Sequence, residues 1–173
     1  MAFFQTTSAF MAAAAAGPPE QIFVAFDGLA QTEIGAIICT CTTFDMAEGL
    51  AWRVFSNQPD AYPLTTPKPI TPNRWTHHVL DERKIFVANS LAEIRTVFPD
   101  HDVIGSLGCG SVVNLPVALS GTFLGTVNLL NETGYFTPER LERTSALLPA
   151  AMLAFASLTV DGTDSIRTVS TAS

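Results

Sequence analysis

Charged residues are scarce in this sequence, and basic residues are the scarcest of them. The 16 Asp and Glu and the 9 Lys and Arg make up 14% of the 173 residues and give a net charge of −7. That fraction is well below the usual quarter, and 47% of the residues are hydrophobic, so a disordered acidic chain is excluded. Nucleic-acid binding is not expected either, since phosphate contacts need clustered lysines and arginines. The length favours a single domain.

Cysteines and long apolar runs are also few. Three cysteines, an odd number, exclude a disulfide framework and favour a reducing compartment. Cys39 and Cys41 are one residue apart and Cys109 is distant, which fits no common zinc spacing. We expect no metal site, and no cofactor. No run reaches 18 apolar residues, and residues 1–19 lack the basic start of a secretory signal. The prediction is a cytoplasmic protein that does not enter a membrane.

Apolar and proline patterns organise the first half of the chain. An alanine-rich run predicts a helix over 8–16, and Pro18-Pro19 begins a second over 19–33 with apolar residues at helical spacing. The β-branched segments 36–44 and 50–56 predict a hairpin. Residues 57–74 contain five prolines and no periodicity, so we expect a long ordered loop of the kind that often binds ligands.

Capping residues and alternation organise the second half. The predicted elements, in chain order, are a short helix over 74–81, a strand over 84–88, a helix from a capping box at Ser90 to Phe98, a turn from Asp100 to Leu107, strands over 110–119 and 122–130 joined by Ser120-Gly121, and a helix over 137–158. Pro116 inside a strand predicts an edge position or a bulge.

The last predicted helix carries an apolar seam. Two series of residues recur every seven positions and are offset by three: Leu141, Leu148, Phe155 and Thr144, Ala151, Leu158. Such a seam must pack against something, and Pro149 is expected to bend the helix. Pairing with the N-terminal helix, and with copies of both in a second chain, predicts a homodimer through the N- and C-terminal helices.

Three segments resemble the GAF domain family. They are SVVNLPV at 111–117, GTFLGTVNLL at 121–130 and YFTPE at 135–139, and they are similar to the family's strand pair and the helix start that follows it. The resemblance covers roughly residues 19–158. It implies an α+β fold with a central antiparallel sheet of five or six strands. The terminal helices would lie on one face, and an irregular helical roof, residues 57–110, would cover a pocket on the other.

The resemblance also divides the chain into three parts. Residues 1–18 are expected to form an N-terminal helical extension. Residues 19–158 form the GAF-like domain, and the polar residues 159–173 a flexible C-terminal tail.

Basic and aromatic residues in the predicted roof favour ligand binding. Six of the nine basic residues lie between positions 53 and 95. Arg53, Tyr62, Lys68 and Trp75 would suit a small polar, anionic or aromatic ligand held between sheet and roof. The alternative is a solvated loop with scattered charges. The first functional hypothesis is therefore a stand-alone GAF-type domain that binds a small molecule.

A second hypothesis is a small thiol-dependent enzyme. Cys109 lies between two glycines, and Asp100 and His101 are near it in sequence, where a histidine could lower the thiol pKa. The family resemblance adds a precedent, since free methionine-(R)-sulfoxide reductases are GAF enzymes with pocket cysteines; hydrolytic or lyase chemistry is equally conceivable. Cys39 and Cys41 could then act as resolving thiols. The competing interpretations are that Cys109 is a core residue, or that the chain is a structural dimer module with a collapsed pocket.

Overall fold

The computed structural model of the chain describes residues 2–64 and 66–160. Its elements are α1 (Ala2–Ala16), α2 (Pro19–Glu33), β1 (Ile38–Asp45), β2 (Leu50–Ser56), β3 (Lys68–Pro69), α3 (Arg74–Thr76) followed by a π-helical turn (His77–Asp81), β4 (Phe86–Ala88), α4 (Leu91–Arg95), α5 (His101–Ser106), β5 (Ser111–Leu119), β6 (Thr122–Asn131), α6 (Pro138–Thr144), a 3-10 turn (Ser145–Leu147) and α7 (Leu148–Val160). The predicted tail, apart from its first two residues, which end α7, lies outside the described residues.

The six strands form one antiparallel sheet in the order β3-β2-β1-β6-β5-β4. The helices α1, α2 and α7 pack on one face and share a core with it, which we call the helix-side core. The short helices and loops of the roof pack on the other face around the roof-side core. This arrangement confirms the predicted α+β architecture.

Alternation along β1 sends successive side chains to opposite faces of the sheet. Cys39 and Cys41 belong to the helix-side core, whereas Thr40 and Thr42 face the roof. The neighbouring strand β6 alternates in the same way, with Val127 in the helix-side core. The sheet therefore has an apolar face toward the helices and a partly polar face toward the roof.

The β5–β6 hairpin meets the predicted geometry. Ser120 and Gly121 have φ of 51° and 80°, as a two-residue type I′ turn requires. β4 pairs with β5 only as far as Asn114, so Pro116 lies where that edge of β5 is free. A bulge follows between Val117 and Ala118. Pro116 itself stays in register with Thr126, so the free edge is present at the proline and the bulge is displaced from it by one residue.

The predicted C-terminal helix is interrupted. Its first turn is as expected, with the Thr137 side chain accepting a hydrogen bond from the Arg140 amide. A 3-10 turn then separates α6 from α7 just before Pro149, because a proline at that position has no N–H to donate to the carbonyl of Ser145. The sequence predicted a bend at Pro149, and the structure has a break immediately before it.

The apolar seam of the C-terminal helices packs within the same chain. Thr144, Ala151 and Phe155 are buried, and α7 packs against α2, β5 and β6. The N-terminal helix begins at Ala2 rather than at residue 8, and Phe10 on it is buried in the helix-side core. The seam therefore packs on this chain's own sheet and helices and leaves other residues to face outward.

Candidate functional site

A cavity of about 250 Å³ lies between the sheet and the roof. Strands β1, β2, β5 and β6 form its floor, and roof residues between 62 and 104 form its walls. Polar side chains line the centre of the floor: Thr40, Thr42, Asn114, Thr126 and Asn128. The predicted pocket is thus present in the predicted place and is not collapsed.

The four residues predicted to bind a ligand all line this cavity. Arg53 projects from β2, Lys68 from β3 and Trp75 from α3, and Tyr62 lies in the loop after β2. They come together because β2 and β3 are adjacent strands and because α3 packs over the sheet. Their role in binding stays a prediction, but their convergence on one cavity is a property of the fold.

A chain of side-chain hydrogen bonds crosses the cavity floor. The Trp75 indole N–H donates to Asn114 Oδ1 at 2.9 Å, and Asn114 Nδ2 donates to Asn128 Oδ1 at 2.7 Å. Asn128 Nδ2 in turn donates to the hydroxyl oxygens of Thr40 and Thr42 at 3.2 and 3.3 Å. Since an indole N–H can only donate, the chain has a fixed direction. The two threonine hydroxyls at its end are left with a proton to donate.

Arg53 is a half-buried cation without an acidic partner. Its Nη1 donates to the Pro63 carbonyl at 2.9 Å, and the guanidinium lies 4.9 Å from the centre of the Tyr62 ring. Among the described residues, no carboxylate oxygen lies within 4.0 Å of it. Burial lowers the pKa of Arg53, and the charges of Tyr62 and Asp100 act in the opposite direction.

Three buried polar atoms that belong to cavity-lining residues have no hydrogen-bond partner. They are Arg53 Nε, Tyr62 Oη and Thr126 Oγ1. Thr126 is fully buried on β6, and burial raises the pKa of the Tyr62 hydroxyl above its ordinary value. Buried polar atoms are rarely left unpaired in native proteins, and three of them belong to residues that surround this one cavity.

An ion pair joins two cavity-lining residues. Lys68 Nζ lies 3.8 Å from Asp100 Oδ2, which links the strand β3 to the start of α5. The sequence suggested that the Asp100 side chain caps the helix that follows, but the carboxylate makes no capping hydrogen bond. The carboxylate instead lies near Lys68 and acts electrostatically on Arg53 as well.

The residues of the thiol-enzyme hypothesis do not form a catalytic group. Cys109 is 2% exposed in the roof-side core and is not among the cavity-lining residues. Burial raises the pKa of its thiol to about 11. His101 Nδ1 contacts the Phe98 carbonyl, and its Nε2 lies 3.4 Å from Asp102 Oδ1. No hydrogen bond joins any two of Cys109, His101 and Asp100 among the described residues.

The predicted resolving thiols are separated from Cys109. Cys39 and Cys41 lie in the helix-side core, so the sheet stands between them and Cys109. A hydrogen bond with Cys41, together with burial, raises the pKa of the Cys39 thiol. Cys39 and Cys41 do share one face of β1, as alternation predicted, but it is the face opposite to Cys109. The hypothesis that they act as resolving thiols for Cys109 is therefore wrong.

Residues 2–64 and 66–160 contain neither a candidate metal site nor a candidate membrane-spanning helix. Within that part of the chain, no three His, Cys, Asp or Glu side chains are grouped closely enough to hold a metal ion. None of the helices described there is long and apolar enough to cross a bilayer.

Sequence reasoning missed the threonines of the floor. Thr40, Thr42 and Thr126 line the cavity, and Thr126 carries one of the unpaired hydroxyls. The signal was present, since polar residues recur at every second position on β1 and β6. Of Trp52 and Arg53, which must point to opposite faces, Arg53 is the one that lines the cavity.

Solved structures share this architecture. The GAF domain of a phosphoenolpyruvate-protein phosphotransferase from Acinetobacter is 10% identical, with a TM-score of 0.69 over 92% of this chain and 96% of that one. The corresponding domain from Coxiella burnetii is 15% identical, with a TM-score of 0.68 over 94% and 97%. A phycoerythrobilin-bound GAF domain of a cyanobacterial phytochrome is 11% identical, with a TM-score of 0.67 over 94% and 98%.

The sequence itself matches no family model and no curated protein. At identities of 10–15%, structural similarity shows a shared fold and does not indicate which ligand is bound. The superpositions extend over most of both chains. The chain has the GAF domain fold.

Proposed function

We propose that this chain binds a small molecule in the cavity between sheet and roof. The observation that carries the proposal is the set of unpaired atoms there: Arg53 Nε, Tyr62 Oη and Thr126 Oγ1. Each such atom costs about 1–3 kcal/mol when buried without a partner. All three atoms are closed to solvent, so a ligand that accepts hydrogen bonds from them has to shift these side chains slightly and then recovers part of that free energy.

The cavity size limits the ligand. Pockets for drug-sized molecules measure about 300–1,000 Å³, and this cavity is about 250 Å³. We therefore propose a ligand smaller than the bilin of the phytochrome domain. Trp75 packs in contact with Phe44 and Phe98, with ring centres 6.3 and 5.8 Å apart. Aromatic side chains of this kind give one part of the cavity flat apolar walls.

The thiol-enzyme alternative receives no support from this geometry. A nucleophilic cysteine needs a lowered pKa and access to its substrate. The Cys109 thiol has a raised pKa, is buried, and is not among the residues that line the cavity. Binding is therefore the better-supported function.

The test is a screen with a variant that fills the cavity. Several hundred small metabolites are screened by thermal shift against the wild type, the Ala51→Phe variant and the Ala47→Phe variant. Ala51 lines the cavity, and Ala47 is exposed in the turn of the same hairpin, so the two variants add the same ring in different places. We expect some compounds to stabilise the wild type and Ala47→Phe but not Ala51→Phe. If none does, the cavity is not a binding site.

We also propose that the chain forms a homodimer through α1 and α7. Neither helix contains a charged residue, and Met11 and Leu153 on them are 53% and 48% exposed. Two copies with seven negative charges each repel one another, so an uncharged surface is where they can approach. Charged residues are present on the neighbouring α2, which leaves α1 and α7 as the favoured contact.

A further inference from the structure

The cavity is polarised from one end to the other. Arg53 lies on β2, and Trp75 is hydrogen-bonded to Asn114 on β5. The strand order β2-β1-β6-β5 places three strand spacings between the backbones of Arg53 and Asn114, which is about 14 Å. The Trp75 ring lies between them, beside Phe44 of β1. One end of the cavity is therefore cationic and the other aromatic.

The cationic end presents hydrogen-bond donors. Arg53 is opposite Thr42 in the sheet, and Thr42 is opposite Thr126 on the next strand. The guanidinium Nε and the Thr126 hydroxyl have no partner, and Thr42 accepts from Asn128, so its own proton is free to be donated. The unpaired hydroxyl of Tyr62, whose ring lies against the guanidinium, adds a further donor. A carboxylate, which accepts at two oxygens, matches such a group.

The charge of the cavity favours a single negative charge on the ligand. Its charged lining residues, within the described part of the chain, are Arg53, Lys68 and Asp100. Asp100 lies 3.8 Å from Lys68 and also acts on Arg53, so the two cations and the one carboxylate leave a net charge of +1 on the lining. A dianion such as a phosphate would keep one charge uncompensated in a partly desolvated site.

On this basis, and resting on the proposed function, we propose that the ligand is a small monocarboxylic acid with a flat apolar body. Its carboxylate binds at Arg53, Thr126 and Tyr62. Its body lies toward Trp75 and Phe98, where the indole N–H is already used by Asn114 and leaves the ring to stack. A ligand of one or two rings fits the cavity volume.

The test compares acids with their own amides. Indole-3-acetate and 3-phenylpropanoate are titrated by calorimetry alongside their primary amides, which match them in shape but lack the charge. We expect each acid to bind at least about ten-fold more tightly than its amide, since hydrogen bonds to a charged group are the stronger ones. Benzylphosphonate and phthalate should bind more weakly than the monoacids.

The Arg53→Gln variant tests whether the preference for acids over amides depends on the Arg53 guanidinium. It should reduce acid binding by about ten-fold or more and leave amide binding within about two-fold, so the amide also reports that the variant is folded. The matched control is Arg83→Gln, because Arg83 packs over Phe123 outside the cavity and should change neither. Tyr62→Phe removes only a hydroxyl and should weaken the acid alone.

The outcomes separate this inference from the proposed function. Equal binding of acid and amide, or better binding of the dianions, overturns the monocarboxylate. A metabolite screen whose hits are not acids also overturns the monocarboxylate. The proposed function survives that result, because the cavity still binds a small molecule. If neither the probes nor the screen show binding that Ala51→Phe removes, the inference and the proposed function both fail.

Discussion

Burial decides the chemistry of the Cys109 thiol. Its ordinary pKa of 9.0 is raised to about 11, because the thiolate would lose water inside the roof-side core. At pH 8 this leaves about one hundredth of the thiolate that an ordinary cysteine has. We expect iodoacetamide to modify Cys109 in the native protein at least about a hundred-fold more slowly than free cysteine, with a rate that rises about ten-fold per pH unit as far as pH 11.

Intact-mass measurement with peptide mapping checks this prediction. The unfolded protein in denaturant supplies the control, since all three thiols should then react at the rate of free cysteine. Rapid native modification of Cys109 that a cavity ligand slows would contradict the prediction and return the thiol enzyme to consideration.

The candidate site shows which residue-scale inferences a sequence supports. Arg53, Tyr62, Lys68 and Trp75 were found because cations and aromatics are rare in this chain and cluster in one region. Thr126 was not found: the polar alternation along β6 shows that it shares a face with Asn128, but the same alternation would be seen if that face were exposed to solvent. Asp100 and His101 are near Cys109 in sequence, but the turn of α5 gives each a different partner.

Replacing two glycines by alanine tests conformational entropy at one position and packing at the other. Gly28 lies in α2, and a Cβ there would meet nothing within 4 Å. Gly125 lies in β6, and a Cβ there would overlap the Thr42 carbonyl oxygen and the Phe155 ring. We expect Gly28→Ala to raise the free energy of unfolding by about 0.5–1 kcal/mol. Gly125→Ala should lower it by about 1–3 kcal/mol, because β1 and α7 would have to move.

Urea denaturation followed by circular dichroism measures both changes. The two variants carry the same substitution, so they are controls for each other. If Gly125→Ala were as stable as the wild type, the close approach of β1 and α7 to this strand would be wrong.

Element boundaries were predictable where local chemistry sets them. The bounds of α2 and β2 agree with the prediction, because prolines and turns mark them. The prediction was less accurate where packing decides. The segment expected to be one helix over 74–81 is an α-helical turn followed by a π-helical turn. The two-residue strand β3 exists through its pairing with β2, which no local pattern reveals.

At the scale of the whole molecule, the sheet assigns two tasks to its two faces. The helix side is apolar, and its seam residues pack into the chain's own core. The roof side holds the cavity and the unpaired polar atoms. A surface for a second copy and a site for a ligand can therefore coexist, because they lie on opposite sides of the sheet.

That separation makes the proposed homodimer testable without disturbing the cavity. Leu153 is exposed on α7, so Leu153→Glu should leave the fold intact and place a like charge at the contact between copies. We expect sedimentation velocity to show a dimer for the wild type and a monomer for this variant, since a charge buried at an interface without a partner is costly.

Leu119→Glu is the matched control. Leu119 is 44% exposed near the tip of the β5–β6 hairpin, outside α1 and α7, and the same charge there should leave the dimer unchanged. A wild-type monomer at the highest concentration tested would overturn the dimer, and so would a dimer that survives Leu153→Glu. Because Leu153 belongs to the helix side, ligand binding in the cavity should be the same for the monomeric variant and the wild type.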